Sequence, residues 1–143
     1  MTACLLDIVS PDRKVISEEV DAVSVPTSRG MIEVLAHHTP LFCSLSEGEI
    51  KVTSGNKEYF LAVGGGFIEV TSRGASVLVS RAFHADELNE AEIKRAESSA
   101  REAIAKGVKG EELAAAQAIL RRSLVELKVL RRKKYRSPSL LPS

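Results

Sequence analysis

The stretch that decides the fold reads RAFHADELN, residues 81–89, because the pattern of the sequence changes across it. Before it, short runs rich in β-branched residues alternate with Gly, Ser and Pro turns, which is typical of short antiparallel strands. After it, Ala, Glu, Lys, Arg and Leu dominate and no proline occurs before Pro138, which is typical of helices. The sequence therefore predicts an all-β module followed by a helical module.

The formal charge differs between the two ends of the chain. Residues 1–112 carry 12 basic and 18 acidic side chains, whereas residues 113–143 carry 8 basic and 1 acidic, which gives net charges of −6 and +7. The overall charge of +1 hides this polarity. Such an asymmetry indicates contacts with partners rather than a buried reaction centre.

At 143 residues the chain suits one small domain with an appendage. Its two cysteines, Cys4 and Cys43, lie in apolar runs and are predicted to be buried free thiols rather than a disulfide framework. The first residues lack the basic segment and long apolar run of a secretion signal. No apolar run approaches the roughly 20 residues that span a bilayer. We therefore expect a soluble, cytosolic protein that can work at a membrane surface.

Strand candidates follow one another at short intervals, separated by turn signals. In residues 50–53, apolar Ile50 and Val52 alternate with polar Lys51 and Thr53, as a half-buried antiparallel strand requires. Eight such strands with no helix between them indicate a β-sandwich or flattened barrel. The candidates are residues 4–9, 20–26, 31–35, 41–45, 49–54, 57–63, 67–71 and 75–80.

Two antiparallel helices are predicted after residue 88. Asn89 is placed to cap the first helix, with Glu92 completing a capping box, and Gly107 suits the left-handed residue that ends it. A helix seam lined by alanine buries little area, so the hairpin is expected to be lightly held. The predicted apolar stripes are Ile93, Ala96, Ala100, Ala103 and Ile104 on the first helix, and Leu113, Ala116, Leu120, Leu124 and Leu127 on the second. The predicted segments are a β-sandwich domain at 1–84, a helical hairpin at 85–136 and a disordered tail at 137–143.

Motifs that could carry chemistry are weak in this chain. Gly64–Gly66 is followed by the strand-like run Phe67–Val70 and not by a helix, so we interpret it as a tight turn or a close backbone approach rather than a phosphate loop. Adjacent His37 and His38 would point to opposite faces of a strand, and His84 lies far along the chain, so no metal site is predicted. No nucleophile signature is present, and nothing in the sequence favours an enzyme.

The basic end of the chain, Arg131–Arg136, is the remaining feature of the sequence that could indicate a function. Cations there would complement the dipole of a solvated helix end. They could equally bind nucleic acid, an anionic membrane or an acidic protein surface. Arg121, Arg122 and Lys128 extend the charge back along the helix, which leaves a nucleic-acid-binding module as an alternative function.

The order of these features resembles the epsilon subunit of F-type ATP synthases, over nearly the whole chain from about Leu5 to Lys134. The resemblance rests on LDIVSPD at residues 6–12, VDAVSVP at 20–26, LAHHTPL at 35–41 and, most specifically, GGFIEV at 65–70. It implies a ten-stranded sandwich followed by two helices, with no active site and no cofactor.

The resemblance also implies partners and a place in the cell. The sandwich would bind the gamma subunit and the c-ring at the foot of the central stalk. The helices would extend along gamma into the alpha/beta catalytic head and inhibit ATP hydrolysis. No nucleic acid would be bound, and the protein would associate with a membrane only through the complex, at the cytoplasmic face of the bacterial plasma membrane.

Three groups of residues follow from the resemblance. Where this chain has residues 35–38, the family usually has Leu-Pro-Gly-His. Ala36 and His37 therefore stand in place of the family's Pro and Gly. The expected c-ring contact is formed by Arg29, Met31, His37 and His38. The expected inhibitory basic face is formed by Arg121, Arg122, Lys128, Arg131 and Arg132, and the expected hinge by Phe83, His84 and Ala85.

Some bacterial members of the family bind ATP between the helices through an Ile/Leu-Asp-x-x-Arg-Ala motif and arginines on the second helix. In the matching stretch, which begins at Leu88, Asn89 replaces Asp, Glu92 replaces Arg and Ile93 replaces Ala. On the second helix Arg122 matches one arginine, whereas Glu126 stands where another would be. Because carboxylates repel a polyphosphate, we expect weak ATP binding or none.

Overall fold

The computed structural model describes residues 4–37 and 39–135, with side chains described as far as Arg132. The predicted tail at 137–143, together with Arg136 and His38, lies outside the described residues. The chain divides into two compact units, Met1–His84 and Ala85–Ser143.

The first unit is a sandwich of two five-stranded sheets. One sheet has the strand order β2-β1-β9-β8-β5 and the other β10-β7-β6-β3-β4. Neighbouring described strands run antiparallel except β1 and β9, which are parallel. The strands are β1 (Cys4–Val9), β2 (Lys14–Val20), β3 (Ala22–Thr27), β4 (Gly30–Leu35), β5 (Leu41–Leu45), β6 (Gly48–Ser54), β7 (Lys57–Val63), β8 (Gly66–Thr71), β9 (Gly74–Val79) and β10 (Ala82–His84).

The core between the sheets is aliphatic. Every second side chain of a strand points inward, and the inward positions hold Val, Ile and Leu. Cys4 is a buried free thiol whose pKa is raised by that burial, and Cys43 is a half-buried free thiol. The most deeply buried core side chains include Leu6, Ile8, Val23, Val25, Ile50, Val52, Leu61, Ile68 and Val77.

The sandwich predicted from the sequence is confirmed, but two strands were missed. The predicted strand at 20–26 begins where β2 ends, because Asp21 interrupts the run: its carboxylate accepts a hydrogen bond from the Gly55 amide at 2.6 Å. Only Ile16 and Val20 of β2 are buried, so it lacks an apolar alternation. β10 has only three residues.

The run Gly64–Gly66 carries the chain from β7 in one sheet to β8 in the other. The Gly64 amide donates to the Arg81 carbonyl, and the Ser80 amide donates to the Gly65 carbonyl, both at 3.0 Å. A Cβ at Gly66 would collide with the carbonyl oxygen of Leu78. The close backbone approach predicted for this run is therefore confirmed.

The second unit begins with a single 3₁₀ turn, Ala85–Glu87, followed by α1 (Glu90–Ala105) and α2 (Gly110–Tyr135). The Asn89 carboxamide oxygen accepts a hydrogen bond from the Glu92 amide at 3.0 Å, which confirms the predicted N-cap. Gly107 has φ of 88°, the left-handed conformation expected at the helix end.

The predicted stripe on the second helix is partly wrong. Leu124 is 44% exposed, whereas its neighbour Ser123 is buried. Ser123 follows the buried Ala116 by seven residues, two turns on the same side of the helix, and Leu124 lies about 100° further round. The buried positions in the described part of α2 are therefore Ala116, Ser123, Glu126 and Val129, and none of them is a leucine.

Candidate docking surfaces

The outer face of the first sheet carries four large apolar side chains that remain exposed. They lie on β1, β5, β8 and β9, at the positions that alternate with the core-facing ones. We call these four residues the apolar face: Leu5 (43% exposed), Phe42 (67%), Phe67 (48%) and Leu78 (55%).

Phe67 lies at the centre of the apolar face. It is paired with Leu78 across β8 and β9, and Leu78 is paired in turn with Val9 on β1. The ring of Phe67 stacks on that of Phe42, with centroids 5.6 Å apart and planes 10° apart. These cross-strand neighbours form a continuous apolar row, and an exposed patch of this kind marks an interaction surface.

The sequence-predicted contact residues do not include the apolar face, although a signal for it is present. Val77, Leu78 and Val79 are three consecutive apolar residues, whereas a strand with a solvated outer face alternates. In β8, Phe67 likewise precedes the buried Ile68 directly. Consecutive apolar residues in an antiparallel strand therefore indicate a second covered face.

The predicted ring-contact residues line β4, an edge strand, rather than forming one cluster. Arg29 lies in the turn before β4, held by its amide, which donates to the Thr27 hydroxyl at 3.1 Å. Met31 is near the start of β4 and 53% exposed, whereas His37 follows the other end of the strand. At about 3.3 Å per residue, β4 separates the two groups by more than about 13 Å. The fourth predicted residue, His38, lies outside the described residues.

His37 adopts the left-handed backbone conformation, with φ of 63°. Among the described residues, every other positive φ belongs to glycine. The resemblance places the family's glycine at this position, so the chain keeps the turn at a conformational cost of about 1–2 kcal/mol. Ala36, at the position of the family's proline, packs against the core.

The three predicted hinge residues stand at the end of the sandwich. Phe83 and His84 belong to β10, where they pair with Ala62 and Leu61 of β7. Ala85 begins the 3₁₀ turn. Bending at Phe83 or His84 therefore requires β10 to leave the sheet, whereas Ala85 lies beyond the strand.

The predicted basic face lies on α2, and all five of its side chains are exposed. Arg121, Lys128 and Arg132 are spaced by seven and four residues, which aligns them along one stripe of the helix. Arg122 and Arg131 flank this stripe on its two sides. The arrangement gives a partner one elongated cationic surface.

The degenerate nucleotide motif is already engaged in contacts within the hairpin. The Arg122 guanidinium Nε donates to the Glu126 carboxylate at 3.0 Å, and Glu126 is buried. The side chain of Asn89 caps α1 by accepting from the Glu92 amide. Arg122 matches one of the arginines that the family has on the second helix, and Glu126 stands in place of another. The charge of Arg122 is therefore neutralised by Glu126.

We expect no ATP binding to this chain at millimolar ATP with Mg²⁺. The physical reason is that the phosphates would have to displace the Arg122–Glu126 ion pair and approach Glu92. Backbone amide NMR shifts of the hairpin are expected not to move. The double variant Asn89→Asp/Glu92→Arg, which restores two family positions, is expected to shift them. Saturable shifts in the unaltered chain would contradict this prediction.

A cleft of about 350 Å³ opens between α1 and α2. Its walls are Leu124, Leu127 and Leu130, with Glu90, Lys94, Glu97 and Arg131 around them. The exposed Leu124 thus belongs to a surface cleft rather than to the buried stripe.

Two kinds of feature are absent from residues 4–37 and 39–135. No three His, Cys, Asp or Glu side chains in this part of the chain come together as a metal site would need. None of its helices combines the length and the apolar character that a membrane crossing needs.

Comparison with known proteins agrees with the fold. Residues 4–85 match the family model of the ATP synthase Delta/Epsilon chain beta-sandwich domain. The ATP synthase epsilon chain of Dehalococcoides mccartyi (strain CBDB1) is 41% identical over 135 residues, which cover 94% of this chain and 96% of that one. The epsilon chain of Herpetosiphon aurantiacus is 36% identical over 131 residues, covering 92% and 96%. A chain in the cryo-EM structure of the Euglena gracilis mitochondrial ATP synthase OSCP/F1/c-ring has a similar fold, with a TM-score of 0.67 at 20% identity, covering 94% of this chain and 81% of that chain.

The sandwich and the family model together place the chain among the delta/epsilon class of ATP synthase subunits. Within that class, the identity to the two bacterial relatives extends through the helical hairpin. The chain belongs to the ATP synthase epsilon chain family, in its bacterial form.

Proposed function

We propose that this chain is a non-catalytic rotor subunit of a proton-translocating F-type ATP synthase. It couples the gamma subunit to the c-ring, and its hairpin inhibits ATP hydrolysis. The observation that carries the proposal is the apolar face. An exposed apolar patch of this kind is costly unless a partner covers it, and subunits of this family work within a complex that provides such partners.

The apolar face is the proposed contact with gamma. A stacked phenylalanine pair with Leu78 beside it provides the rigid aromatic centre that protein interfaces favour. Asp7, Ser76 and Glu69 form the row two residues further along the strands, because Ser76 is paired with both acidic residues, so two carboxylates lie beside the apolar row. A partner surface with an apolar centre and basic side chains beside it is complementary to this arrangement.

The edge strand β4 is the proposed contact with the c-ring. Met31 lies on this edge strand, with Arg29 in the turn before it and His37 after its end, and the apolar face lies on the other sheet. The chain can therefore bind two rotor partners at once through different surfaces. Through these partners it would lie at the cytoplasmic face of the bacterial plasma membrane.

The hairpin is the proposed inhibitory element. Its buried stripes contain several small side chains, including Ala100, Ala116 and Ser123, which bury less apolar area than leucine would. The basic stripe of α2 offers a long-range attraction to an acidic surface of the alpha/beta head. A lightly held helix with a strong charge can move between two positions, and the position would regulate hydrolysis.

A binding assay tests the proposal. The purified chain is immobilised and challenged separately with purified gamma, with detergent-solubilised c-ring and with single-stranded RNA at 50 and 200 mM salt. We expect retention of gamma and c-ring and no retention of RNA. Salt-sensitive retention of RNA without the rotor proteins would instead support a nucleic-acid-binding module.

A further inference from the structure

β10 is the shortest strand of the sandwich and the last one before the helical unit. It has three residues and lies at the edge of its sheet, paired only on the β7 side. The 3₁₀ turn that starts the second unit follows it directly. A three-residue edge strand contributes few ladder hydrogen bonds, so its attachment depends on whatever else holds it.

Arg13 holds β10 from the opposite sheet. Its guanidinium donates a hydrogen bond to the Ala82 carbonyl at 3.0 Å and lies over the Phe83 ring, 5.6 Å from the centroid. The backbone of Arg13 is itself fixed, because the Ser10 amide donates to its carbonyl at 2.9 Å and its own amide donates back to the Ser10 carbonyl at 3.3 Å. The turn between β1 and β2 therefore reaches across the sandwich to two consecutive residues of β10.

A second contact across the sheets lies beside the first. The Tyr59 hydroxyl on β7 donates to the Glu18 carboxylate on β2 at 2.6 Å, and the Tyr59 ring lies 5.7 Å from that of His84. Burial, then this hydrogen bond, raises the pKa of Tyr59, which keeps its hydroxyl protonated as a donor. β10 thus has contacts at each of its residues: Ala82, Phe83 and His84.

We propose that Arg13 is a positioning residue that clamps β10 and thereby limits how far the helical hairpin can travel. Opening the clamp would add residues 82–84 to the connection between the two units, which is about 10 Å of extended chain. A longer connection would let the hairpin reach its inhibitory position more often. This inference rests on the proposed inhibitory function of the hairpin.

The clamp is tested first in the isolated chain by amide hydrogen exchange. Arg13→Ala is expected to speed exchange at the Phe83 amide, which faces β7, about tenfold, the effect of losing a hydrogen bond from a charged donor and an aromatic contact. Arg13→Lys, which keeps a charged donor, is expected to restore part of the protection. Phe83→Leu should accelerate exchange less in the Arg13→Ala background than alone, because the two residues share one contact. Unchanged exchange in Arg13→Ala would overturn the clamp.

The regulatory consequence is tested in the reconstituted ATP synthase. Arg13→Ala is expected to lower ATP hydrolysis about threefold, since the equilibrium shifts toward the inhibited position. The same substitution in a chain that ends at Ala85 is expected to change nothing. Faster exchange without any fall in hydrolysis would overturn the inference. If removal of the hairpin alone leaves hydrolysis unchanged, the proposed inhibitory function fails instead, and the exchange rates still decide whether Arg13 clamps β10.

Discussion

Phe67→Glu combined with Leu78→Glu is expected to lower the affinity for gamma at least about 100-fold. Both side chains lie in the paired centre of the apolar face, where truncation of a central contact costs about 2 kcal/mol or more. A carboxylate buried there would also lie near two like charges, Glu69 and Asp7. The two carboxylates would repel each other and Phe42 would lose its stacking partner, so we expect the free energy of unfolding to fall by about 1–2 kcal/mol, which the half-exposed positions allow the sandwich to tolerate.

Calorimetric titration of purified gamma into the chain measures this effect. Met31→Glu is the matched control, because Met31 is as exposed as Leu78 but lies on β4 in the other sheet. The control variant should bind gamma normally and should bind the c-ring less well. Equal gamma binding by the double variant and the unaltered chain, with intact circular dichroism, would rule out the apolar face as the gamma contact.

The strands that could be predicted from the sequence are those with clear alternation or a continuous apolar run. β1, β5 and β7 match their predicted bounds, and five others begin or end within two residues of them. β2 could not be recognised, because an edge strand can expose both faces and only Ile16 and Val20 of its seven residues are buried. β10 is too short to show a period, and its place is set by pairing with β7.

The surfaces were harder to predict than the fold. The run Val77–Val79 shows that both faces of a strand are apolar, but it does not say whether the second face is covered by the same chain or by a partner. Only the sheet order, which leaves the outer face of the first sheet exposed at Leu78, separates these cases. The sequence also predicted Leu124 in the buried stripe of α2, where the structure buries its neighbour Ser123. Helical periodicity gives the face to within about one residue, and packing decides which side chain is buried.

Removing Asp86–Ser143 is expected to raise ATP hydrolysis by the reconstituted complex about tenfold, while assembly and proton coupling persist. The estimate follows if the hairpin holds about nine-tenths of the complexes in the inhibited state, a bias of about 1.4 kcal/mol. Assembly should persist because Met1–His84 is a compact unit with its own core and carries both the apolar face and β4. Steady-state hydrolysis and ATP-driven proton pumping in the same vesicles measure the two effects separately.

The contribution of charge is separated from that of shape by a matched pair of triple variants. Arg121, Lys128 and Arg132 changed to Gln remove three charges from the basic face and leave the Arg122–Glu126 ion pair intact, whereas Lys94, Arg95 and Arg101 changed to Gln remove three charges from α1. Only the first variant should weaken inhibition, and the difference should shrink at high salt, where the screening length falls to about 3 Å at 1 M. Inhibition that survives the first variant at both low and high salt would mean that the hairpin acts by occupying space alone. Unchanged hydrolysis after removal of the whole hairpin would contradict the inhibitory role itself.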